Sequence, residues 1–346
     1  MKSEFARPTI GVPSKKYKIA IISGDGIGIE VIREALKVLV ATGISFETVD
    51  FDLGGTRFLN DGYLLSEATL RELRRFDAIL FGAIGDPRVI PSILERGIIL
   101  KLRFELDLYI NERPVRGIAP GKSEVHEFVV VRENTEGPYV GEGGSFRRDT
   151  DFEVATQGSI NTAFGVERCV RYAFNLANSR PRHHLTLVHK TNILQFSGYL
   201  WQRIFDKVSK EFPIVSTDYL HVDAACIHLV ENPSRFDVIV TDNLFGDIIT
   251  DLSAVISGGI GRAASANLNP SRTGPSLFEP VHGSAPDIVG KGIADPTAAI
   301  LSVALMLDFL GEKKSAQKIN AACEEIVIGT TIEIGDQIAS RVTNSV

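Results

Sequence analysis

The chain has little that would place it outside the ordinary interior of a cell. It holds only three cysteines, Cys169, Cys226 and Cys323. They are odd in number, far apart and without metal-ligand spacing, which argues against a disulfide framework or a thiolate zinc site and predicts reduced thiols. Nowhere does an apolar run reach the roughly eighteen residues of a bilayer-spanning helix, so no membrane partner is expected. Residues 1–16 lack the apolar core of a secretory signal and read as a loose leader; a cytoplasmic location follows by default. A basic excess is missing too, since 37 Lys and Arg stand against 43 Asp and Glu. The formal net charge of -6 disfavours nucleic acid, whose phosphates need a concentrated cationic surface. A small anionic substrate stays open, because a few local arginines can override a mild global charge.

What is present is a chain of 346 residues, 44% of them hydrophobic, long enough for one large or two moderate domains. Beta-rich apolar runs at 18–23, 46–53, 77–83, 127–132, 185–189 and 237–241 alternate with amphipathic stretches at 29–42, 161–178 and 193–211. That alternation predicts an α/β protein with a largely parallel sheet. Residues 138–156, rich in glycine and charge, break the pattern. They are too polar for a core and too long for a plain turn, so an arm or subunit contact is expected, with a simple loop as the alternative. The cluster Gly24-Asp25-Gly26-Ile27-Gly28 follows a strand, opens a helix and has Asp50 and Asp52 downstream. It fails as a dinucleotide fingerprint, because Ile29 or Val31 stands where the third glycine belongs. A tight strand-to-helix turn is the simpler reading.

Four constellations carry chemistry. Arg103, Arg113 and Arg132 are spread over 30 residues, the last ending an apolar strand, where an α/β sheet presents its ligand site. Guanidinium forks match carboxylates, so three that converged would suit a dicarboxylate. Tyr139 and Lys190 are candidates for proton transfer, Lys190 because it follows the buried run 185–189. Asp247 and Asp251 share one helix face, capped by Asp242 or Asn243, and repel each other unless a cation lies between them. With Asp223 they offer an all-oxygen site suited to Mg²⁺ or Mn²⁺. Finally, 279–287 is a turn-rich loop of small residues, which lets a ligand approach the backbone.

These motifs, in this order from about residue 18 to about residue 311, resemble the β-decarboxylating dehydrogenases, which comprise isopropylmalate, isocitrate, homoisocitrate and tartrate dehydrogenases. The matching segments are 24–28, Leu102-Arg103 with Asp107-Leu108, Arg113-Pro114, Arg132 with Tyr139, Lys190-Thr191-Asn192, Asp223, 243–247 with Asp251, and 279–287. The resemblance implies a non-Rossmann two-domain open α/β sheet. Residues 1–108 with 258–346 would form the cofactor-binding domain, and 109–257 the substrate, metal and dimerisation domain. It implies a homodimer with shared active sites, in which 138–156 is the interlocking arm and Lys190 and Asp223 enter the partner's site. By the same resemblance Arg103, Arg113 and Arg132 bind the malate carboxylates, Asp223, Asp247 and Asp251 hold the metal, and Tyr139 and Lys190 move protons. The 282–295 loop would hold NAD through His282, Gly283, Ser284, Ala285, Asp287, Ile288 and Asp295, with Glu95 near the nicotinamide.

The substrate follows from the wall before Arg103. Isocitrate enzymes carry Ser and Asn six and four residues before that arginine; here Gly97 and Ile99 stand there, followed by Leu100. An apolar wall of Ile99 and Leu100, closed by Ile193 from the partner chain, favours an isopropyl group over a further carboxylate. The expected reaction is the NAD-linked oxidation and decarboxylation of 3-isopropylmalate. Homoisocitrate, tartrate or isocitrate, or a non-catalytic regulatory subunit, are the alternatives; Arg96, close to Ile98 in the wall, keeps homoisocitrate and tartrate open. NAD is expected over NADP because Asp287-Ile288 replaces the Lys-Tyr of NADP-using relatives and would repel a 2′-phosphate. Two departures stand out: Ile29 where proline is usual, and Asp295 where asparagine is common.

Overall fold

The computed structural model describes residues 15–256 and 258–345; all but the last two residues of the expected leader lie outside them. β1 (Tyr17–Gly24) leads through α1 (Gly28–Ala41) to β2 (Phe46–Asp50), then α2 (Gly55–Asp61), α3 (Glu67–Leu73) and β3 (Ala78–Ala83). A π-helical turn (Glu95–Leu100) and α4 (Lys101–Glu105) precede the long pair β4 (Ile110–Ile118) and β5 (Val125–Glu133). After β6 (Gly143–Phe146) and β7 (Val154–Gln157) come α5 (Ala163–Ser179), β8 (His184–His189), α6 (Gln195–Ser209), β9 (Ser216–His221) and α7 (Val222–Glu231). β10 (Val238–Thr241), α8 (Asn243–Ala254), β11 (Ala264–Leu268) and β12 (Ser276–Pro280) follow, and α9 (Thr297–Leu310), α10 (Lys313–Ala322) and α11 (Thr331–Asn344) close the chain. No described helix is long and apolar enough to cross a membrane.

Ten strands form one sheet in the order β2-β1-β3-β12-β11-β4-β5-β10-β8-β9. Its two flanks are parallel, as the strand–helix alternation requires. The centre is not: β12, β11, β4 and β5 pair antiparallel in succession. The expectation of a largely parallel sheet therefore holds only on the flanks. Short connections join β4 to β5 and β11 to β12, and a parallel pair would need a long crossover. β4 and β11 escaped the sequence reading because polar residues interrupt them, Glu112 and Arg113 in β4 and Ser265 and Asn267 in β11. The sheet's halves also differ in origin. β2, β1, β3, β12 and β11 come from residues before 109 or after 257, and the other five from the segment between.

Strands buried on both faces explain the continuous apolar runs. Ile19 and Ile21 of β1 point into a core under α1, α5, α6, α9, α10 and α11, while Ala20 and Ile22 face a second core under α3 and α4. A third core packs α7 and α8 against Phe128, Val130 and Ile239. The break at 138–156 is a hairpin: β6 and β7 pair only with each other and leave Phe146 and Phe152 exposed. α1 starts without the proline usual in the resembled family, with exposed Ile29 in its first turn.

The glycine cluster is the turn its spacing predicted, and it has a second job. Gly26 has φ +59, and a Cβ there would lie 2.0 Å from the Ser284 carbonyl oxygen. That carbonyl accepts a hydrogen bond from the Ile27 N–H at 2.9 Å, so the turn after β1 clamps the loop after β12. Gly26→Ala is expected to cost more than about 3 kcal/mol in urea unfolding, because a backbone clash adds to left-handed strain. Gly43→Ala, at φ +74 with open space around it, should cost only the ~1–2 kcal/mol of the conformation itself. Equal costs at the two positions would show that the Ser284 contact gives way freely.

Candidate active site

Strand pairing sets the arginines side by side. Asn111 and Arg113 share one face of β4, and Asn111 is the register partner of Arg132 on β5. Arg132 is 1% exposed, and its cost of burial is offset by an acceptor for each of its three guanidine nitrogens. Its Nε and Nη2 donate to Asn243 Oδ1 at 3.0 and 2.7 Å, and Nη1 donates to Asp247 Oδ1. Both acceptors sit on α8, whose N-terminus Asp242 caps by accepting from the Phe245 N–H at 2.8 Å. The helix approaches Arg132 so closely that a Cβ on Gly246 would lie 2.4 Å from Arg132 Cγ. Glycine is needed there for space.

Asp247 is the hub. Its Oδ1 also lies 3.6 Å from Arg113 Nη2, and its Oδ2 accepts from the Tyr139 hydroxyl at 2.7 Å. Tyr139 in turn lies under the Arg132 guanidinium, 5.1 Å from ring centre to Cζ. Arg113 Nε donates to Asn111 Oδ1 at 2.8 Å, while Nη1 donates to Thr250 Oγ1 at 2.6 Å and Asp251 Oδ1 at 3.3 Å. Arg103, from α4, pairs with Glu279 at 3.4 Å, and its buried Nε has no protein partner. A buried N–H without an acceptor fits an anionic ligand.

The electrostatics follow from crowding. Burial, then the neighbouring Arg132 and Arg103, brings the Arg113 guanidinium down to about 10, with Asp247 and Glu279 opposing. Burial likewise lowers Arg103. Burial pushes the Asp247 carboxyl up, but Arg132, the Tyr139 hydroxyl and Arg113 outweigh it and hold it below the usual aspartate range. Tyr139 ends above its ordinary value: burial raises it, Arg132 pulls it back, and the bond to Asp247 raises it again. The phenol is therefore protonated at neutral pH, as an acid must be.

A cavity of ≈ 200 Å³ opens beside this cluster, lined by Glu95, Ile99, Arg103, Arg113, Glu279, His282 and Gly283 among others. It joins the wall, two of the arginines and the start of the 282–295 loop. Leu100 is half-buried and lies outside that lining. Within the loop Ser284 is buried, Ala285 is held at φ +40, and Ile288 packs on the main core. Asp287 is exposed, whereas Asp295 Oδ1 accepts from the Thr297 N–H at 2.9 Å and so starts α9. Glu30 Oε1 accepts from the Gly290 N–H, and the Thr331 hydroxyl donates to the Ala294 carbonyl, both at 2.7 Å. Those ties fix the course of the loop on either side of its small residues. A larger cavity of ≈ 430 Å³, between β4 and β5 on one side and α9 and α10 on the other, holds none of the site residues. Arginine–glutamate pairs such as Arg116–Glu324 already balance charge there.

Lys190 and Asp223 are together but elsewhere. Lys190 Nζ pairs with Asp223 Oδ1 at 2.8 Å, and neither bonds to the arginine cluster. Ile193, 67% exposed, faces solvent rather than the cavity. Asp247 and Asp251 share the helix face that their spacing requires, and Asp223 is not with them. Among the described residues no three His, Cys, Asp or Glu side chains gather within one chain to hold a metal. The pair is still an all-oxygen set for a hard cation, given further ligands from substrate or a second chain. Sequence reasoning missed the supports Asn111 and Thr250. The signal was present in the i, i+2 spacing of Asn111 and Arg113 on one strand and the i, i+3 spacing of Asp247 and Thr250 on one helix. Asp247→Asn is expected to weaken Mn²⁺ binding at least about tenfold by calorimetry, since a charged hard ligand becomes neutral, with the circular dichroism spectrum unchanged. Undiminished binding would remove Asp247 from the metal site.

The profile of the isocitrate/isopropylmalate dehydrogenase family matches residues 18–344. A 3-isopropylmalate dehydrogenase of Streptomyces coelicolor is 56% identical over 345 residues, covering 95% of this chain and 99% of that protein. One of Nocardia farcinica is 57% identical over 336 residues, covering 94% and 100%. Among solved structures, the isocitrate dehydrogenase of Methylococcus capsulatus superposes with a TM-score of 0.87 at 37% identity, covering 95% of this chain and all of that one.

Proposed function

Because the chain belongs to the isocitrate/isopropylmalate dehydrogenase family, we propose that this site performs the NAD-linked, divalent-metal-dependent oxidation and decarboxylation of 3-isopropylmalate. The product is 4-methyl-2-oxopentanoate, in leucine biosynthesis. The chain is a decarboxylating dehydrogenase. The observation that carries the substrate is the convergence of Arg103, Arg113 and Arg132 beside the apolar Ile99. Two carboxylates find guanidiniums there, while a third would face Ile99 without a partner, at a desolvation cost. The high identity to 3-isopropylmalate dehydrogenases points the same way. Homoisocitrate would have to use Arg96, whose guanidinium lies against Gly141.

NAD would accept the hydride, and a Mg²⁺ or Mn²⁺ ion held by Asp247 and Asp251 with the partner's Asp223 would polarise the C2 oxygen. The chain's own residues do the rest. The arginines fix both carboxylates and so hold the substrate in one orientation for reaction. The partner's Lys190 takes the hydroxyl proton as hydride leaves. CO₂ then departs with its bonding electrons retained on the substrate as an enolate, and Tyr139 protonates the carbon that carried it. Asp287 would accept the adenosine ribose hydroxyls and repel a 2′-phosphate. A homodimer suits the exposed apolar side chains Ile227 and Val230 on α7, Ile248 on α8, and Phe146 and Phe152 on the hairpin.

The reading is tested by NADH formation from 3-isopropylmalate, isocitrate, homoisocitrate and tartrate, each with NAD and NADP and Mn²⁺. 3-Isopropylmalate with NAD should give the highest kcat/KM, by at least about a hundredfold over isocitrate. A higher value for any other pair would overturn the substrate or cofactor assignment. The two proton carriers should separate. Lys190→Met is expected to abolish single-turnover NADH formation while sparing decarboxylation of the presented 2-oxo intermediate. Tyr139→Phe should slow release of protonated product about 10²–10⁴-fold, the usual worth of a general acid, and spare NADH formation. Equal loss in both assays for both variants would show that the residues only position substrate.

A further inference from the structure

A continuous buried hydrogen-bond chain runs beneath the site and joins two of its arginines. Arg113 Nε donates to Asn111 Oδ1 at 2.8 Å, and Asn111 Nδ2 donates to Asn267 Oδ1 at 3.1 Å. Asn267 Nδ2 donates to Glu279 Oε1 at 2.6 Å, and that oxygen also receives Arg103 Nη2 at 3.4 Å. Asn111 and Asn267 are wholly buried, and Glu279 is nearly so. The Arg113 end determines the direction of both amides. A guanidinium can only donate, so Asn111 turns its oxygen towards Arg113 and its nitrogen towards Asn267, whose oxygen accepts and whose nitrogen is left to donate to Glu279. A side bond reinforces this sense: Asn134 Nδ2, which also donates to the Leu108 carbonyl, donates to Asn267 Oδ1 at 2.9 Å, while Ser265 Oγ accepts from Asn111 Nδ2 at 2.7 Å.

The chain crosses the sheet where its two halves meet. Asn111 on β4 and Asn267 on β11 are register partners, and this ladder joins the five strands on one side to the five on the other. Arg103 is tethered through β12 on the β11 side, and Arg113 belongs to β4. We infer that Asn267 is a positioning residue: its amide, bridging Asn111 to Glu279, sets the separation of the Arg103 and Arg113 guanidiniums and thereby the affinity for the dicarboxylate. The inference rests on the reading of both arginines as substrate ligands. In a dry network one reversed or missing donor leaves its neighbours unsatisfied, and the displacement passes along the chain to the terminal groups.

Asn267→Asp is the sharpest test. It keeps the shape and the acceptor for Asn111 and Asn134, and replaces the donor to Glu279 by a second carboxylate. The KM for 3-isopropylmalate should rise about ten- to a hundredfold, the scale on which a misplaced binding group acts, with the KM for NAD within about twofold. Loss of structure alone would lower the active fraction, and hence kcat, and leave KM where it was. Asn267→Ser, which removes the amide without adding charge, should raise the same KM and guards against a variant that fails to fold. Arg113→Gln, measured alongside, separates the premises. If it raises the KM for 3-isopropylmalate and both Asn267 variants, folded, do not, the positioning role falls and the substrate reading stands. If Arg113→Gln leaves that KM unchanged, the substrate reading falls and takes the positioning role with it.

Discussion

Three guanidiniums held close together in a nearly dry site are the constraint on which the rest of this molecule depends. Like charges at such range repel strongly when water is excluded, and each loses hydration on burial. The protein answers with carboxylates and amides of matching geometry. Asp247 lies between Arg132 and Arg113, Glu279 faces Arg103, Asn243 accepts from Arg132, and Asn111 and Thr250 accept from Arg113. One guanidine N–H, Arg103 Nε, is left buried without a protein acceptor. The site is balanced by neighbours yet keeps a place for an anion.

That balance explains the unusual centre of the sheet. Parallel flanks, each buried under helices, supply rigidity and most of the apolar core. The antiparallel strands between them carry Asn111, Arg113, Arg132, Ser265, Asn267 and Glu279, which would be costly to bury singly and are affordable as a connected network. The same strands bring together residues from both ends and the middle of the chain, so the cavity lies at the seam between the halves. α8 completes it, with Gly246 thin enough to let Asp247 reach Arg132.

Several features were legible from the residues in order. The apolar runs of β1, β3, β8 and β10 marked the flanks and that of β5 one strand of the centre, the four-residue spacing of Asp247 and Asp251 placed them on one helix face, and Asp242 caps that helix as its type and position suggested. The failed glycine fingerprint was rightly set aside, since those glycines serve backbone contacts with Ala83 and Ser284. β4 and β11 were opaque, because an apolar-run reading cannot see strands whose burial rests on polar side chains satisfying one another. The supporting amides were hidden for the same reason: a buried asparagine looks like any turn former until its partners are known.

By itself, then, the sequence determined the α/β class, the family, the chemical type of each site residue and the local faces on which they lie. Those depend on residue identity and on periodicities of a few positions. Only the tertiary structure decided that Arg103, Arg113 and Arg132 meet around Asp247 and Glu279, and that Lys190 and Asp223 lie apart from them in one chain. It also decided that Asn267 links the two halves. Contacts between residues more than a hundred positions apart are set by strand order and register, and a linear pattern does not encode either until the sheet has formed.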